Sequence, residues 1–568
     1  MLLVLCLRPL QAAGFTLLLL LSLASATTVR TSTPVMGWDS YNYYNCYPSQ
    51  DIIETNAAAL VSLGLSELGY TYVTTDCGWT ADARDPLTGQ LVWNETLFPS
   101  GAVALGDYIH GLGLKFGVYS GAGYWQCGST DDPASLGHEA LDAQSFAAWG
   151  ADSLKYDNCY ANSTTTAADY TGTVSGSPMR FDTMYNALNA VSRDIVYQVC
   201  QWGVGEDIET WAPPIANSWR ISNDIYNAWR SIWRITNQVI PYARVTSPTA
   251  GHADMDMLIV GLQALSTYEE QFHFGMWAIN KSPLVLGSAL ANSLTPAASL
   301  AIVSNKNVIA INQDSLGAQA ELVRRYTTAQ WDLWQGALSG GRQVIGLANW
   351  YNGSQSVTVD FAADLGIASA VAQDAWTGDS VGTLSGSYTT TLQGHELRLL
   401  ILTNVVNATA GIQEPVAYYT AATQATLAGN AVVVDCPSGQ CLPAGVKVGD
   451  IGEGDTAASV TFSGVKATTS GTKLIGVDFI NYDVALDTAW ALGDNTRNMT
   501  IAVNEASAVN GERFAFPISG GDWYDTGRLY VYVDGFVAGA SNKVVFTSYN
   551  STVTWAPDLV GFEVYEVN

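Results

Sequence analysis

The chain has 568 residues, 48% hydrophobic and 13% charged, too apolar for a disordered chain and too long for one ordinary domain, so two or three packed domains are expected. Acidic residues outnumber basic ones 51 to 24, and the formal net charge of −27 argues against nucleic-acid and anionic membrane-surface partners. The 53 glycines, 18 tryptophans and 28 tyrosines suit tight turns and stacking surfaces more than long helices.

Residues 1–26 read as a secretory leader, with Arg8 as the positive end, Phe15 to Leu23 as a short apolar core and Ala24-Ser25-Ala26 as the cleavage site. A membrane anchor is the competing reading, but the apolar run is short for a bilayer and no second one follows. A secreted, extracellular product is therefore expected, with disulfides permitted. Beyond the leader stand Cys46, Cys77, Cys127, Cys159, Cys200, Cys436 and Cys441, an odd number that leaves at least one unpaired. None is spaced as CxxC, and Asp142 stands where a zinc motif begun at His138 needs its second His, so no metal is expected. Sequons at Asn94, Asn162, Asn280, Asn352, Asn407, Asn498 and Asn550 predict N-glycans at several of them, Asn280 being least suited because its surroundings are apolar.

From Val35 to Leu290 short β-branched or aromatic runs alternate with helical stretches such as Asp51 to Gly64 and Leu141 to Trp149. The runs are VMGWDSYN (35–42), YTYVTTDC (70–77), KFGVYS (115–120), SLKYDN (153–158), IVYQVCQW (195–202), SWRISNDI (218–225), TAGHADMDM (249–257) and PLVLG (283–287). This alternation predicts a parallel sheet, and its eight units predict a (β/α)8 TIM barrel over 27–325, with a doubly wound sheet as the alternative. A barrel gathers its chemistry at the strand ends. Asp39, Asp76, Tyr119, Asp157, Cys200, Trp202, Asp224 and Asp256 each follow an apolar strand core. Any one of those acids alone reads as a turn or helix-cap residue; their repetition points to a catalytic rim.

Past Arg325 the pattern changes to strict alternation, as in WDLWQGAL, RQVIGLANWY, QSVTVDF and HELRLLILT, which predicts an antiparallel β-domain over 326–404. A linker over 405–414 follows, and 415–568 reads as a C-terminal β-sandwich.

Asp157 and Asp224 close the fourth and sixth predicted strands and face each other across the barrel mouth in this reading. Two such carboxylates are the equipment of a retaining glycosidase, one attacking the anomeric carbon while the other protonates the departing oxygen. Lys155, two residues before Asp157, shares its strand face and helps keep the nucleophile ionised.

Met36-Gly37-Trp38-Asp39-Ser40, Thr75-Asp76-Cys77-Gly78-Trp79, Gly113 to Tyr119, Leu154-Lys155-Tyr156-Asp157, Arg220 with Asp224, Asp254 to Leu258 and Val308 to Asp314 resemble the α-galactosidases of glycoside hydrolase family 27. The resemblance spans about 33–404. It implies a secreted exo-glycosidase that removes terminal α-D-galactosyl residues from galacto-oligosaccharides, galactomannans or galactolipids, with no cofactor. Asp157 is then the nucleophile and Asp224 the acid/base. Trp38 forms an apolar wall for the sugar, Asp76 and Lys155 bind its hydroxyls, and Arg220, Cys200 and Trp202 surround the 2-hydroxyl. Asp39, Tyr119 and Asp256 complete the expected substrate-binding set. A Cys and a Trp beside position 2 leave little room for an N-acetyl group.

The resemblance also implies a Cys127–Cys159 disulfide, with Cys46–Cys77 and Cys436–Cys441 as further pairs and Cys200 as a free thiol in the pocket; a buried core cysteine is the plain alternative for Cys200. Two positions depart from the family pattern: Thr75 replaces one of two adjacent acids, and Trp38-Asp39-Ser40-Tyr41 replaces Trp-Asn-Ser-Trp. Asp39 is a candidate replacement for the lost acid. A β-L-arabinopyranosidase is therefore an alternative, and a catalytically silent carbohydrate-binding protein is another. In the last block Thr461 to Val465, a turn at Asn504 and Ala556 to Val560 resemble family 35 carbohydrate-binding modules, beside which a purely structural domain stands equal.

Overall fold

The computed structural model describes residues 29–161, 176–452, 457–483, 495–505, 511–549 and 555–568. The expected leader over 1–26 and the sequons at Asn162 and Asn550 lie outside the described residues.

Eight parallel strands form the first unit: β1 (Met36–Asp39), β2 (Tyr72–Thr74), β3 (Lys115–Gly121), β4 (Ser153–Asp157), β5 (Val196–Cys200), β6 (Ser218–Arg220), β7 (His252–Asp254) and β8 (Leu284–Leu286). They pair in sequence order from β1 to β7, and β1 also pairs in parallel with β8. The ring closes beyond β7, where Leu258 bridges Leu286 and its N–H donates to Val285 O at 2.7 Å. That closure excludes the doubly wound alternative. The strands are short and almost wholly buried because helices cover the outside while side chains fill the inside. Gly37 is required where β1 meets β2: a Cβ there would lie 2.3 Å from Tyr72 O.

Helix starts follow local chemistry. Ser49 caps Gln50–Ser62 by accepting from Ile52 N, and Ser266 forms a reciprocal capping box with Glu269 at the start of Thr267–Ile279. Asn280, at the end of that helix, is fully buried and donates to Met276 O at 2.9 Å, so this sequon has no room for a glycan in the folded chain.

An antiparallel six-stranded sheet follows. It runs from Glu321–Tyr326 at one edge through Trp331–Leu338, Arg342–Asn349, Leu397–Asn407 and Ile367–Asp374 to Ser380–Ser385. Gln355–Asp360 and Ser387–Leu392 form a separate two-stranded antiparallel sheet. The C-terminal block is a sandwich of two antiparallel sheets packed over Phe462, Phe516, Phe546 and Phe562. It seats on both earlier units: Asn495 Nδ2 donates to Arg234 O at 3.0 Å, and Tyr532 OH donates to Asp364 Oδ1 at 2.9 Å. Among the described residues no helix is long and apolar enough to cross a membrane.

Candidate active site

Asp157 is the last residue of β4 and is 7% exposed. Its Oδ1 accepts from Asn158 N at 2.8 Å and from Trp202 Nε1 at 3.0 Å, while Oδ2 accepts from Tyr119 OH at 3.1 Å. Three donors, from β3, from the residue after β4 and from the loop after β5, thus fix both oxygens of one carboxylate. Burial pushes this carboxyl up to about 6, opposed by the charge of Lys155 and reinforced by that of Asp224.

Asp224 lies beyond β6 and is more open, with its side chain 24% exposed. It ion-pairs with Arg220 from β6, four residues back, and Arg220 also holds Asp256 at 2.9 Å. Asp256 Oδ2 accepts from Ile225 N at 2.6 Å, which ties the loop after β7 to the backbone just past Asp224. Arg220 Nη1 lies 3.6 Å from Cys200 Sγ. Burial, then the charge of Asp157, raises the Cys200 thiol well above its ordinary range, so it stays protonated, and it is the free cysteine among the described residues.

Opposite these, Lys155 Nζ on β4 sits 2.6 Å from Asp76 Oδ2, and Asp76 Oδ1 accepts from Cys77 N. Asp39 shares this corner. Burial first, then the charge of Asp76, pushes its carboxyl well above the usual carboxylate range, and a side-chain hydrogen bond joins the two acids. Asp39 and Asp76 thus share one buried corner, with the Lys155 ammonium group as the cation facing them. Thr75, at the departing position, is buried, and its hydroxyl has no hydrogen-bond partner. Trp38 is fully buried, with its indole N–H donating to Ser288 O at 2.8 Å.

Disulfides staple the rim: Cys46 is bridged to Cys77 and Cys127 to Cys159, while Cys436 and Cys441 close a short loop in the sandwich. Two rim residues went unassigned in the sequence. Ser40 Oγ accepts from Asp76 N at 3.0 Å, and the Tyr41 ring lies 5.5 Å from Lys155 Nζ in the field of Asp224 and Asp76. Both follow the Trp38-Asp39 pair directly, and that adjacency was the signal available. The whole constellation offers an ionisable carboxylate held by donors, a more exposed carboxylate able to exchange protons, and a ring of hydroxyl-binding groups, which is what displacement at an acetal carbon requires.

Residues 33–314 match the family described as Alpha galactosidase A, and residues 328–402 match the Alpha galactosidase C-terminal beta sandwich domain. The chain is 38% identical to the probable α-galactosidase D of Aspergillus niger, over 94% of this chain and 96% of that protein. The solved structure of α-galactosidase I from Mortierella vinacea is similar with a TM-score of 0.61 at 33% identity, covering 66% of this chain and 98% of that one. The α-galactosidase of Saccharomyces cerevisiae with raffinose gives a TM-score of 0.60 at 30% identity, over 66% of this chain and 98% of that one.

Proposed function

Because this chain belongs to the α-galactosidase A family, we propose that it releases terminal α-D-galactosyl residues by a retaining double displacement in which Asp157 is the nucleophile and Asp224 the acid/base. It is an α-galactosidase and a glycoside hydrolase. The observation that carries the assignment of roles is the contrast between the two acids. Asp157 is buried with three donors on its oxygens, whereas Asp224 is open at the mouth.

In the first step an Asp157 oxygen bonds to the anomeric carbon as the glycosidic C–O bond breaks, and Asp224 gives its proton to the leaving oxygen. The galactosyl ester cancels the Asp157 charge. Water then attacks the same carbon, giving its proton to Asp224, and the ester bond breaks to restore Asp157 and release galactose with its α configuration. Lys155, Asp76 and Asp39 are assigned to the sugar hydroxyls on one side. Arg220, Cys200 and Trp202 are assigned to the 2-hydroxyl, and Trp38, Tyr119 and Asp256 complete the wall of the site.

Substrates of the raffinose type follow from the relative solved with that sugar. Galactomannan and galactolipid side groups present the same terminal unit. The leader sequence and the exposed sequons Asn352 and Asn407 support export with N-glycans attached. Sugar binding by the C-terminal sandwich rests on its resemblance to family 35 modules, and retention of the full-length protein on galactomannan with the barrel site saturated by galactose tests it. The test of the catalytic reading is turnover of nitrophenyl α-galactoside by Asp157→Ala, with Tm measured alongside. Lost turnover at unchanged Tm supports it, and appreciable residual turnover refutes it.

A further inference from the structure

The loop from β5 to the helix Ile208–Trp211 carries the indole that donates to Asp157, and it is built from residues in the left-handed region. Trp202 has φ 76°, Gly203 66°, Gly205 61°, Glu206 58° and Asp207 38°. Trp202, Glu206 and Asp207 are costly there because each carries a Cβ, so the loop keeps this shape only if its surroundings hold it. From the barrel side Gly203 presses on the next strand end, where a Cβ would lie 2.4 Å from Ile221 O. Glu206 ties the far end by accepting from Gly176 N at 2.6 Å and Ser177 N at 2.9 Å.

The arc between those anchors is met by the C-terminal sandwich. Gly205 N donates to the hydroxyl oxygen of Tyr482 at 2.6 Å, and that hydroxyl donates to Gly203 O at 3.4 Å. Tyr482 follows the strand Gly471–Ile480 and Asn481, whose buried amide donates to Asn495 O, Phe516 O and Pro517 O within 3.1 Å. The tyrosine ring sits edge-on to Trp523, 6.4 Å away. A rigid end of the sandwich therefore grips both sides of Val204, two residues beyond the tryptophan that touches the proposed nucleophile.

We propose that Tyr482 is a positioning residue of the catalytic barrel: its hydroxyl spans Gly203 and Gly205 and so keeps the Trp202 indole N–H on Asp157. The C-terminal sandwich thereby serves the reaction directly, from a position outside both matched family segments. This inference rests on the reading of Asp157 as nucleophile. A hydrogen bond to the ionised carboxylate favours that form, so loosening Trp202 lowers the fraction of ionised Asp157 at a given pH and weakens its alignment.

The experiment uses the full chain and nitrophenyl α-galactoside, comparing Tyr482→Phe, Trp202→Phe, the double variant and Arg244→Ala. Arg244 Nη1 meets Thr526 O at 3.4 Å across the same boundary and serves as a docking control. Tyr482→Phe should lower kcat about tenfold with KM nearly unchanged and move the acid limb of the pH profile upward. The double variant should be no slower than Trp202→Phe alone, because both act through one bond. Arg244→Ala should keep wild-type kcat and acid limb. Wild-type kcat in Tyr482→Phe, additive losses in the double variant, or equal losses in Arg244→Ala would each overturn the inference while Asp157→Ala remains inactive. Activity in Asp157→Ala would instead overturn the reading beneath it.

Discussion

Lys155 Nζ lies 2.6 Å from Asp76 Oδ2, and the same ammonium group is the main charge holding down the carboxyl of Asp157 two residues along β4. Burial raises Asp157 to about 6, so the proposed nucleophile is protonated on the acid side of that value and activity should fall there. Removing the lysine charge raises Asp157 further. Lys155→Met should therefore move the acid limb of kcat/KM to higher pH, besides lowering its plateau by about a hundredfold through lost hydroxyl contacts. A pH profile on nitrophenyl α-galactoside checks both effects. A limb that stays put or moves to lower pH contradicts the electrostatic assignment.

The Asp39 carboxyl is shifted toward its neutral form beside Asp76, with burial as the first cause and the Asp76 charge as the second. An amide keeps an acceptor oxygen for the Tyr41 N–H, which lies 2.9 Å from Asp39 Oδ1, and a donor toward Asp76. Asp39→Asn should keep kcat/KM within about threefold of wild type, whereas Asp39→Ala, which leaves Asp76 short of a partner, should lose about tenfold or more. Equal losses in the two variants would mean that Asp39 acts as an anion.

The Cys127–Cys159 and Cys436–Cys441 disulfides should differ in consequence. Cys127–Cys159 closes a separation of 32 residues and ends two positions after Asp157, while Cys436–Cys441 closes 5 in the sandwich. Chain-entropy reasoning assigns them about 4 and about 2 kcal/mol of stability. Cys127→Ser with Cys159→Ser should lower Tm and kcat together. Cys436→Ser with Cys441→Ser should lower Tm by less and leave kcat in place. Denaturation and kinetics on both double variants decide it.

Barrel order was legible because each strand is a short apolar run and most are separated by a helix long enough to cross over, Ile208–Trp211 being the short exception; how the expected ring closes needed the structure, since Leu258 meets Leu286 outside the regular strand pattern. The acids at the strand ends could be picked out for the same reason, residue by residue. Other relationships depend on packing alone. Gly203 and Gly205 mark a turn in the sequence, but nothing there puts Trp202 itself in the left-handed region, and Gly205 meets Tyr482 across 277 residues. The upward shift of the Asp39 carboxyl was equally hidden, because it follows from the burial of two acids brought from the end of β1 and from just past β2 into one corner. Asn280 shows the reverse case, a sequon whose apolar neighbours in the sequence already spoke against it and whose burial closes it.

Cys200 and Trp202 stand on the side of the mouth assigned to the 2-hydroxyl, both nearly fully buried, at 4% and 2% exposure. Neither has space to withdraw from a larger substituent, so an N-acetyl group at position 2 should clash. Turnover of nitrophenyl α-N-acetylgalactosaminide should be lower than that of the α-galactoside by about a hundredfold or more. Comparable kcat/KM on the two would show that this wall is placed wrongly.

Covalent chemistry at Asp157 is the step on which the proposed mechanism turns. Incubating the enzyme with a 2-fluoro-galactosyl fluoride slows the second displacement and lets the ester accumulate, so that peptide mass spectrometry can locate it. One fluorogalactosyl group is expected, on the peptide containing Lys155-Tyr156-Asp157 and attached to the Asp157 carboxyl. A label on Asp224 or on any other residue would contradict the proposed mechanism.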